Sequence, residues 1–521
     1  MADRAQPIGP GGVAGIAAAV AIPFLILLTT GAIVWVSESG AGLAPSDWAA
    51  IRFTLSQAAL SALFSVVLAV PVARALARQR FPGRGVLVTL LGAPFLLPVI
   101  VAVFGLLAVF GRAGIVNAAL SFVGLPEVSI YGLHGVVLAH VFFNLPLATR
   151  LILQGWQDIP AERYRLAASL GMTARAVNRH LERPMLWQVL PGAALVIFVL
   201  CTTSFAVALI LGGGPRATTV ELAIYQALRF EFDLTRAAFL SLIQLGMTAA
   251  LALLAYRLVR NTGFDPGLDR RVMRWDGGKG ILPYLDGVLI AAVTVFLLLP
   301  ILAVVFRGAP EIAGLPSQVW ASALRSVVVA LVSTVLVTVL ALTMALAVVR
   351  LGRHGGWVET AGLLAVAASP LVLGTGLFVL IHPWANPEGL ALPVTILVNA
   401  VVTLPFALRA IVPAYRAVEA DFGRLADSLG MTGWVRLRLV VLPRLRRPLG
   451  FSAGLAAALS MGDLGVIALF ADPDAATLPL QIYRLMGSYR MDEASGAAVL
   501  LLGLSFALFW VFDRGARGAE V

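Results

Sequence analysis

The chain has 521 residues, 60% of them hydrophobic and only 12% charged, and its mean hydropathy is +0.93; an ordinary soluble domain is about half apolar and about a quarter charged. Composition therefore excludes a soluble globular protein and points to a membrane one. The net charge of +11 invites a nucleic-acid reading, but the basic residues fall in every second loop, and charge confined in that way reports membrane orientation.

Taken in chain order, twelve apolar windows follow one another at 13–36, 53–76, 86–110, 133–155, 187–211, 236–258, 284–306, 325–349, 358–382, 393–415, 446–471 and 495–513. Each is long enough to cross a hydrocarbon core of roughly 30 Å. Lipid offers the backbone no hydrogen-bond partner, so each window is expected to be a helix. The first is followed by Ser37, Glu38 and Asp47 with no small-residue cleavage site, and reads as a retained anchor. The lone Cys201 lies inside a window and rules out an intrachain disulfide.

The loops alternate in charge. Arg74 to Arg84, the stretch 150–183, Arg257 to Lys279, Arg350 and Arg353, the stretch 416–447, and Arg514 and Arg517 are basic. Between them lie mixed or acidic loops with Glu38 and Asp47, Glu127, Glu221 to Asp233, Glu311, Glu388, and Asp472 to Glu493. By the positive-inside rule both termini and the basic loops face the cytoplasm.

An internal repeat organises the whole. RLAASLGMT, Arg165 to Thr173, returns as RLADSLGMT, Arg424 to Thr432, 259 positions later (424 − 165). LPLATR from Leu145 meets LPFALR from Leu404, and Pro184 meets Pro443, at the same distance; TVELAIYQ from Thr219 meets TLPLQIYR from Thr477 one position short of it. The offset maps the fourth window onto the tenth and preserves parity, so two parallel six-helix repeats are expected, not inverted ones. The expected domains are a first repeat at 1–260 with a cytoplasmic loop at 159–184, a polar linker at 261–283, and a second repeat at 284–521 with a loop at 418–443.

Both copies of the phrase sit in loops of about thirty residues, long for a mere connection. The pattern predicts a short helix, a glycine turn at Gly171 or Gly430, and a second amphipathic helix (174–181; 434–441) ended by Pro184 or Pro443. Such an elbow lies in the membrane interface, packs on the protein's own helices, or presents a knob to a cytosolic partner.

The spacing decides for the knob by resemblance. Arg165-Leu166-Ala167, three residues, Gly171, nine residues, Leu181-x-Arg183-Pro184 and Arg424-Leu425-Ala426, three residues, Gly430, nine residues, Val440-x-Leu442-Pro443 resemble the EAA loop of binding-protein-dependent ABC importer permeases. Arginine stands in both copies where that family favours glutamate, with Glu162 and Asp421 three residues earlier on the same helix face. Further phrases, RFPGRG from Arg80, LPVIVAVFGLLAVFGR from Leu97, YGLHGVVLAHVFFNLPLATRL from Tyr131, LGGGPRATTVELAIYQAL from Leu211 and GDLGVIALF from Gly462, are similar to the fused thiamine and thiamine pyrophosphate permeases of Gram-negative bacteria.

The resemblance implies an all-α membrane protein of the type I ABC importer permease kind, with about twelve transmembrane helices, in the bacterial inner membrane. It implies a transport subunit and not an enzyme: two copies of an ATP-binding subunit would carry ATP and Mg, and a periplasmic thiamine-binding protein would deliver thiamine and its phosphates. Glu162, Arg165, Leu166, Ala167, Gly171, Met172, Thr173 and Pro184, and Asp421, Arg424, Leu425, Ala426, Gly430, Met431, Thr432 and Pro443 would then couple the two halves to the ATPase. Ferric iron or another small solute is the rival cargo. An ion-driven secondary transporter, which also has six-plus-six parallel repeats, is the rival class.

The chain itself has no G-x-x-x-x-G-K-[ST] loop to cradle a nucleotide, and its five histidines, His134, His140, His180, His354 and His382, form no metal-ligand motif. Asp463 sits in the eleventh window, and Ser204 is its counterpart in the fifth (463 − 204 = 259). A charge inside a span is costly unless it faces protein or water, so Asp463, Ser204 and the intramembrane Asn144 are candidate residues of the translocation path. Asp463 has two readings, a counter-charge for a cationic thiazolium ring or a partner for helix ends. Phe142, Phe143, Phe198 and Phe205 offer ring faces, with core or lipid packing as the plainer role. Arg216, Glu221, Arg229 and Glu231, and Arg484, Arg490, Asp492 and Glu493, read as outer-loop contacts to the binding protein or as solvated loop ends.

Overall fold

The computed structural model describes residues 9–37, 43–79, 81–92, 96–214, 217–258, 281–367, 369–470 and 475–517. The linker expected at 261–283 lies outside them up to residue 280, as does Arg216. The first half contains α1 (Pro10–Ser37), α2 (Pro45–Arg78), α3 (Arg84–Leu90), α4 (Val99–Phe110), α5 (Ile115–Phe122), α6 (Leu133–Gln157), α7 (Ala161–Ser169), α8 (Ala174–Val177), α9 (Arg183–Thr202), α10 (Phe205–Leu211), α11 (Val220–Arg229) and α12 (Leu234–Leu258). The second contains α13 (Leu282–Gly308), α14 (Ser317–Arg350), α15 (Gly356–Leu363), α16 (Pro370–Ile381), α17 (Ala391–Ser428), α18 (Gly433–Arg436), α19 (Leu442–Met461), α20 (Gly465–Phe470), α21 (Leu478–Gly487) and α22 (Met491–Arg517). No strand occurs among the described residues.

Eleven helical stretches among the described residues are long and apolar enough to cross a membrane, against twelve windows in the sequence. The difference is the window 358–382, which folds as α15, a 3-10 turn at Leu364–Ala367 and α16, none of them of spanning length. Ser369 and Pro370 divide it: the Ser369 hydroxyl accepts a hydrogen bond from Leu371 N (3.2 Å), and proline takes the first helical position, so a new helix starts there. The windows 187–211 and 446–471 are likewise interrupted, at Thr203–Ser204 and at Gly462–Leu464. A hydropathy window scores side chains and is blind to an interruption made of small residues.

The duplication is wider than the repeated words suggest. α2 and α14 are both 34 residues long and lie 272 positions apart (317 − 45). At α8 and α18 the distance is 259 (433 − 174). The change falls in the segment 111–132, which holds α5 in the first half and corresponds to the shorter 382–390 in the second. Asn117 folds that extra segment onto itself, donating from Nδ2 to the carbonyls of Gly111 (2.9 Å) and Val128 (3.0 Å) and accepting from Val128 N (2.9 Å).

The halves are joined by exchange of their leading helices. α1 packs on α14 and α16 of the second half, and α13 packs on α2 and α4 of the first. Small residues allow the backbones to approach. A Cβ placed on Gly105 of α4 would lie 2.6 Å from the Pro300 carbonyl oxygen of α13, and one on the matching Gly376 of α16 would lie 2.6 Å from Thr29 Cβ of α1. One continuous apolar core therefore runs through both halves.

Candidate coupling and translocation site

Each copy of the repeated phrase forms the same elbow. α7 ends in Gly171 at φ +62°, and α17 ends in Gly430 at φ +64°. The turns close alike: Gly171 N donates to Ala168 O (3.1 Å) and Met172 N to Ala167 O (3.0 Å), while Gly430 N donates to Asp427 O (3.1 Å) and Met431 N to Ala426 O (2.9 Å). This pair of bonds satisfies the last helical carbonyls and demands a left-handed residue, which is why glycine stands there.

The elbows bury the same positions. Tyr164, Ala167 and Val177 are inside in the first, and Gly423, Ala426 and Arg436 in the second. Leucines point outward in both: Leu166 is 59% and Leu170 68% exposed, Leu425 57% and Leu429 61%. Arg165, Thr173 and Pro184, like Arg424, Thr432 and Pro443, are exposed, and Met172 and Met431 are half-buried. Glu162 and Asp421 are exposed as well; Glu162 approaches Arg165 at 3.9 Å, both of them solvated.

After the turn the structure departs from the expected pattern. Pro184 and Pro443 do not end a helix; α8 and α18 run on through π turns, Asn178–Glu182 and Leu437–Val441, straight into α9 and α19. A proline has no N–H and its ring collides with the carbonyl four residues back, and the widened π turn removes both conflicts. Arg183 N accordingly bonds to Asn178 O and Leu442 N to Leu437 O, five residues back.

The two elbows are pinned differently. In the first, Glu182 of the π turn is fully buried and meets Arg74 at the end of α2 at 2.8 Å. In the second, the buried base is Arg436, which reaches Glu419 and Asp427 at 2.5 Å each. Where Pro160 separates α6 from α7, the matching Glu419 continues α17 as one 38-residue helix. Pro413 lies within that helix and does not start the second elbow.

At the centre the two interrupted helices meet. Asp463 precedes α20, and its Oδ1 accepts a hydrogen bond from Gly465 N (3.2 Å), the helix-end role foreseen as one of its two readings. Its buried Oδ2 has no hydrogen-bond partner. Ser204 stands half-buried in front of α10 without a side-chain capping bond. A Cβ on Gly465 would lie 3.8 Å from Phe205 Cδ1, so the two interruptions adjoin. Each also abuts the other half: a Cβ on Gly462 would lie 3.1 Å from Pro98 Cα, while Gln244 Nε2 donates to Thr202 O (3.0 Å) and to Glu221 Oε1 (3.3 Å), which Ser369 of the second half also bonds.

Asn144 belongs to a neighbouring polar set in the packing of α6 on α9. Its Nδ2 donates to His140 O (2.9 Å) and Cys201 Sγ (3.4 Å). The matching residues of the second half repeat the link: Thr403 donates to Asn399 O (2.6 Å), and Asn399 donates to Ser460 Oγ (2.9 Å). Phe142 is buried between Phe143 and Phe296, and Phe198 packs on the core.

Sequence reasoning placed Glu221 in a solvated outer loop, and the structure buries it completely at this seam. Burial away from any cation pushes its carboxyl up to about 8. The signal for burial is in TVELAIYQAL: Thr219 caps α11 by accepting from Leu222 N (3.2 Å), and the apolar face that follows has to be covered. Arg229 and Glu231 remain near the surface, Arg229 with Glu388 (3.4 Å) and Glu231 with Arg236; Arg490 pairs with Glu493 (2.5 Å).

A helical bundle with an internal duplication, two outward elbows and interrupted helices at its centre defines a multi-pass membrane permease. No family model matches the chain. It is 39% identical over 536 residues to the thiamine transport system permease protein ThiP of Salmonella typhimurium, and 40% over 531 residues to that of Escherichia coli, each alignment covering 99% of this chain and 98% of the relative. The Haemophilus influenzae protein of that name is 33% identical over 517 residues, 95% of either chain. The chain belongs to the family of thiamine transport system permease proteins.

Proposed function

We propose that the chain is the channel subunit of an ATP-driven ABC importer that moves thiamine and its phosphates from periplasm to cytoplasm across the bacterial inner membrane. Hydrolysis takes place on two copies of an ATP-binding subunit, one docked on each elbow, and a periplasmic thiamine-binding protein supplies the cargo at the opposite end. Both termini and both elbows then face the cytoplasm, in agreement with the basic loops. The observation that carries this reading is the pair of elbows: the same φ-positive glycine, the same buried positions and the same exposed leucines on both halves. Apolar side chains held outward on a rigid turn suit a partner's groove better than water.

Asp463 supplies a counter-charge for the thiazolium ring as it passes the interruption between α19 and α20. The permease, reconstituted with the ATPase and binding protein, is expected to take up thiamine and its phosphates but not ferric iron. Asp463→Asn at equal expression is expected to lose most thiamine uptake. Uptake of iron alone contradicts the cargo, and unchanged uptake by the Asn variant contradicts the role of Asp463.

A further inference from the structure

We infer that Glu221 is a second counter-charge for the cationic ring, set across the seam from Asp463, so that the path recognises an organic cation with two acids and an aromatic wall. The inference rests on the thiamine reading above and adds a residue and a recognition mode to it. Glu221 Oε1 accepts from Ser369 and Gln244, while its Oε2 is buried and accepts no hydrogen bond. Asp463 has the same character, one oxygen bonded to a backbone amide and the other buried without a partner. Neither acid has an ion-pair partner among the described residues. A buried acid without a base is costly, and that cost is expected where a cation is to arrive.

The two acids flank one patch. Ser369, which bonds Glu221, also accepts from Leu371 N, and a Cβ on Gly465, two residues after Asp463, would lie 3.4 Å from Leu371 Cδ1. Phe205 adjoins Gly465 and packs edge-on against Tyr225, with ring centroids 5.2 Å apart, one helical turn after Glu221. Aromatic rings and carboxylates together are the surroundings that bind a delocalised cation. In the packed seam both named partners of Glu221, Ser369 and Gln244, are neutral hydrogen-bond donors, so the carboxylate is left for a cation to neutralise. The second half has Pro479 at the matching position (221 + 258), so the charge belongs to one side of the path only.

The test uses the complete transporter in proteoliposomes and compares thiamine with thiamine pyrophosphate, whose phosphates outweigh the ring's positive charge. Glu221→Gln preserves the shape and the bonds to Ser369 and Gln244. It is expected to lower kcat/KM for thiamine roughly tenfold and that for the pyrophosphate much less, with assembly retained. Glu221→Asp keeps the charge and is expected to recover most of the thiamine preference. Equal loss for both cargoes in the Gln and Asp variants makes Glu221 a packing residue and overturns the proposal, as does unchanged thiamine uptake by the Gln variant. If the unmodified transporter moves neither cargo, the thiamine reading itself falls, a result separate from either of these.

Discussion

The two elbows have one shape and two means of support. The first hangs below a proline break and is tied sideways, by Glu182, to Arg74 on a different helix of its half. The second grows without a break from α17 and is tied to itself, Arg436 reaching back to Glu419 and Asp427 on the same helix. Duplication preserved the outward face, where leucines and the glycine turn recur, and let the inner fastening diverge. On the docking proposal, what is kept in both copies is the face offered to the partner, and what differs only has to hold the elbow still. The first elbow is fastened to α2 and the second to α17, so the halves are expected to respond unequally to the same pull.

That contrast can be broken. Replacing Arg436 with Ala removes the base from two acids at once and empties the buried space its side chain fills; transport and retention of the ATPase are expected to fall steeply while the protein still inserts, read by uptake and co-purification. Next come Gly171→Val and Gly430→Val. Both glycines have open space around an added Cβ, so the penalty is conformational, about 1–2 kcal/mol for a left-handed residue. Either variant is expected to weaken ATPase co-purification, and the double variant to abolish it; normal assembly and uptake in both singles contradict the docking role.

Arg74→Gln loosens only the first elbow from α2 and sharpens the comparison. It is expected to lower uptake less than Arg436→Ala, with ATPase binding preserved, because α7 keeps its own turn. The smallest effect belongs to Glu162→Gln. Its contact with Arg165 is long and solvated, so thermal stability is expected to change by no more than about 0.5 kcal/mol. A marked fall in ATPase affinity for that variant would instead assign Glu162 the acid's part in docking.

Much of the elbow is legible in the sequence because polar words inside an apolar chain are rare and specific. RLAASLGMT and RLADSLGMT carry the turn, the buried alanine and the exposed leucines with them. The matching of α2 with α14 and of α4 with α16 is not legible in that way. Lipid and helix faces accept Leu, Val, Ile and Ala interchangeably, and the extra residues around α5 shift the register by 13 (272 − 259). Asp463 and Ser204 fall inside apolar windows, while the backbone is interrupted at both, beside Gly462 and Thr203. Glu221 is illegible because a charged residue near a loop ordinarily seeks water, and its burial depends on Gln244 from the next helix and on Ser369, 148 residues along the chain.

The single native cysteine, Cys201, is buried, so new cysteines on the elbows can be addressed alone. Leu170→Cys and Leu429→Cys permeases, treated in the assembled transporter with a short reagent that joins a thiol to a lysine amine, test the central claim most directly. Each variant is expected to cross-link to an ATP-binding subunit, and the double variant to yield one permease joined to two. Absence of that product at both positions, with the assembly intact, contradicts the account of the elbows as the paired docking points of the ATPase.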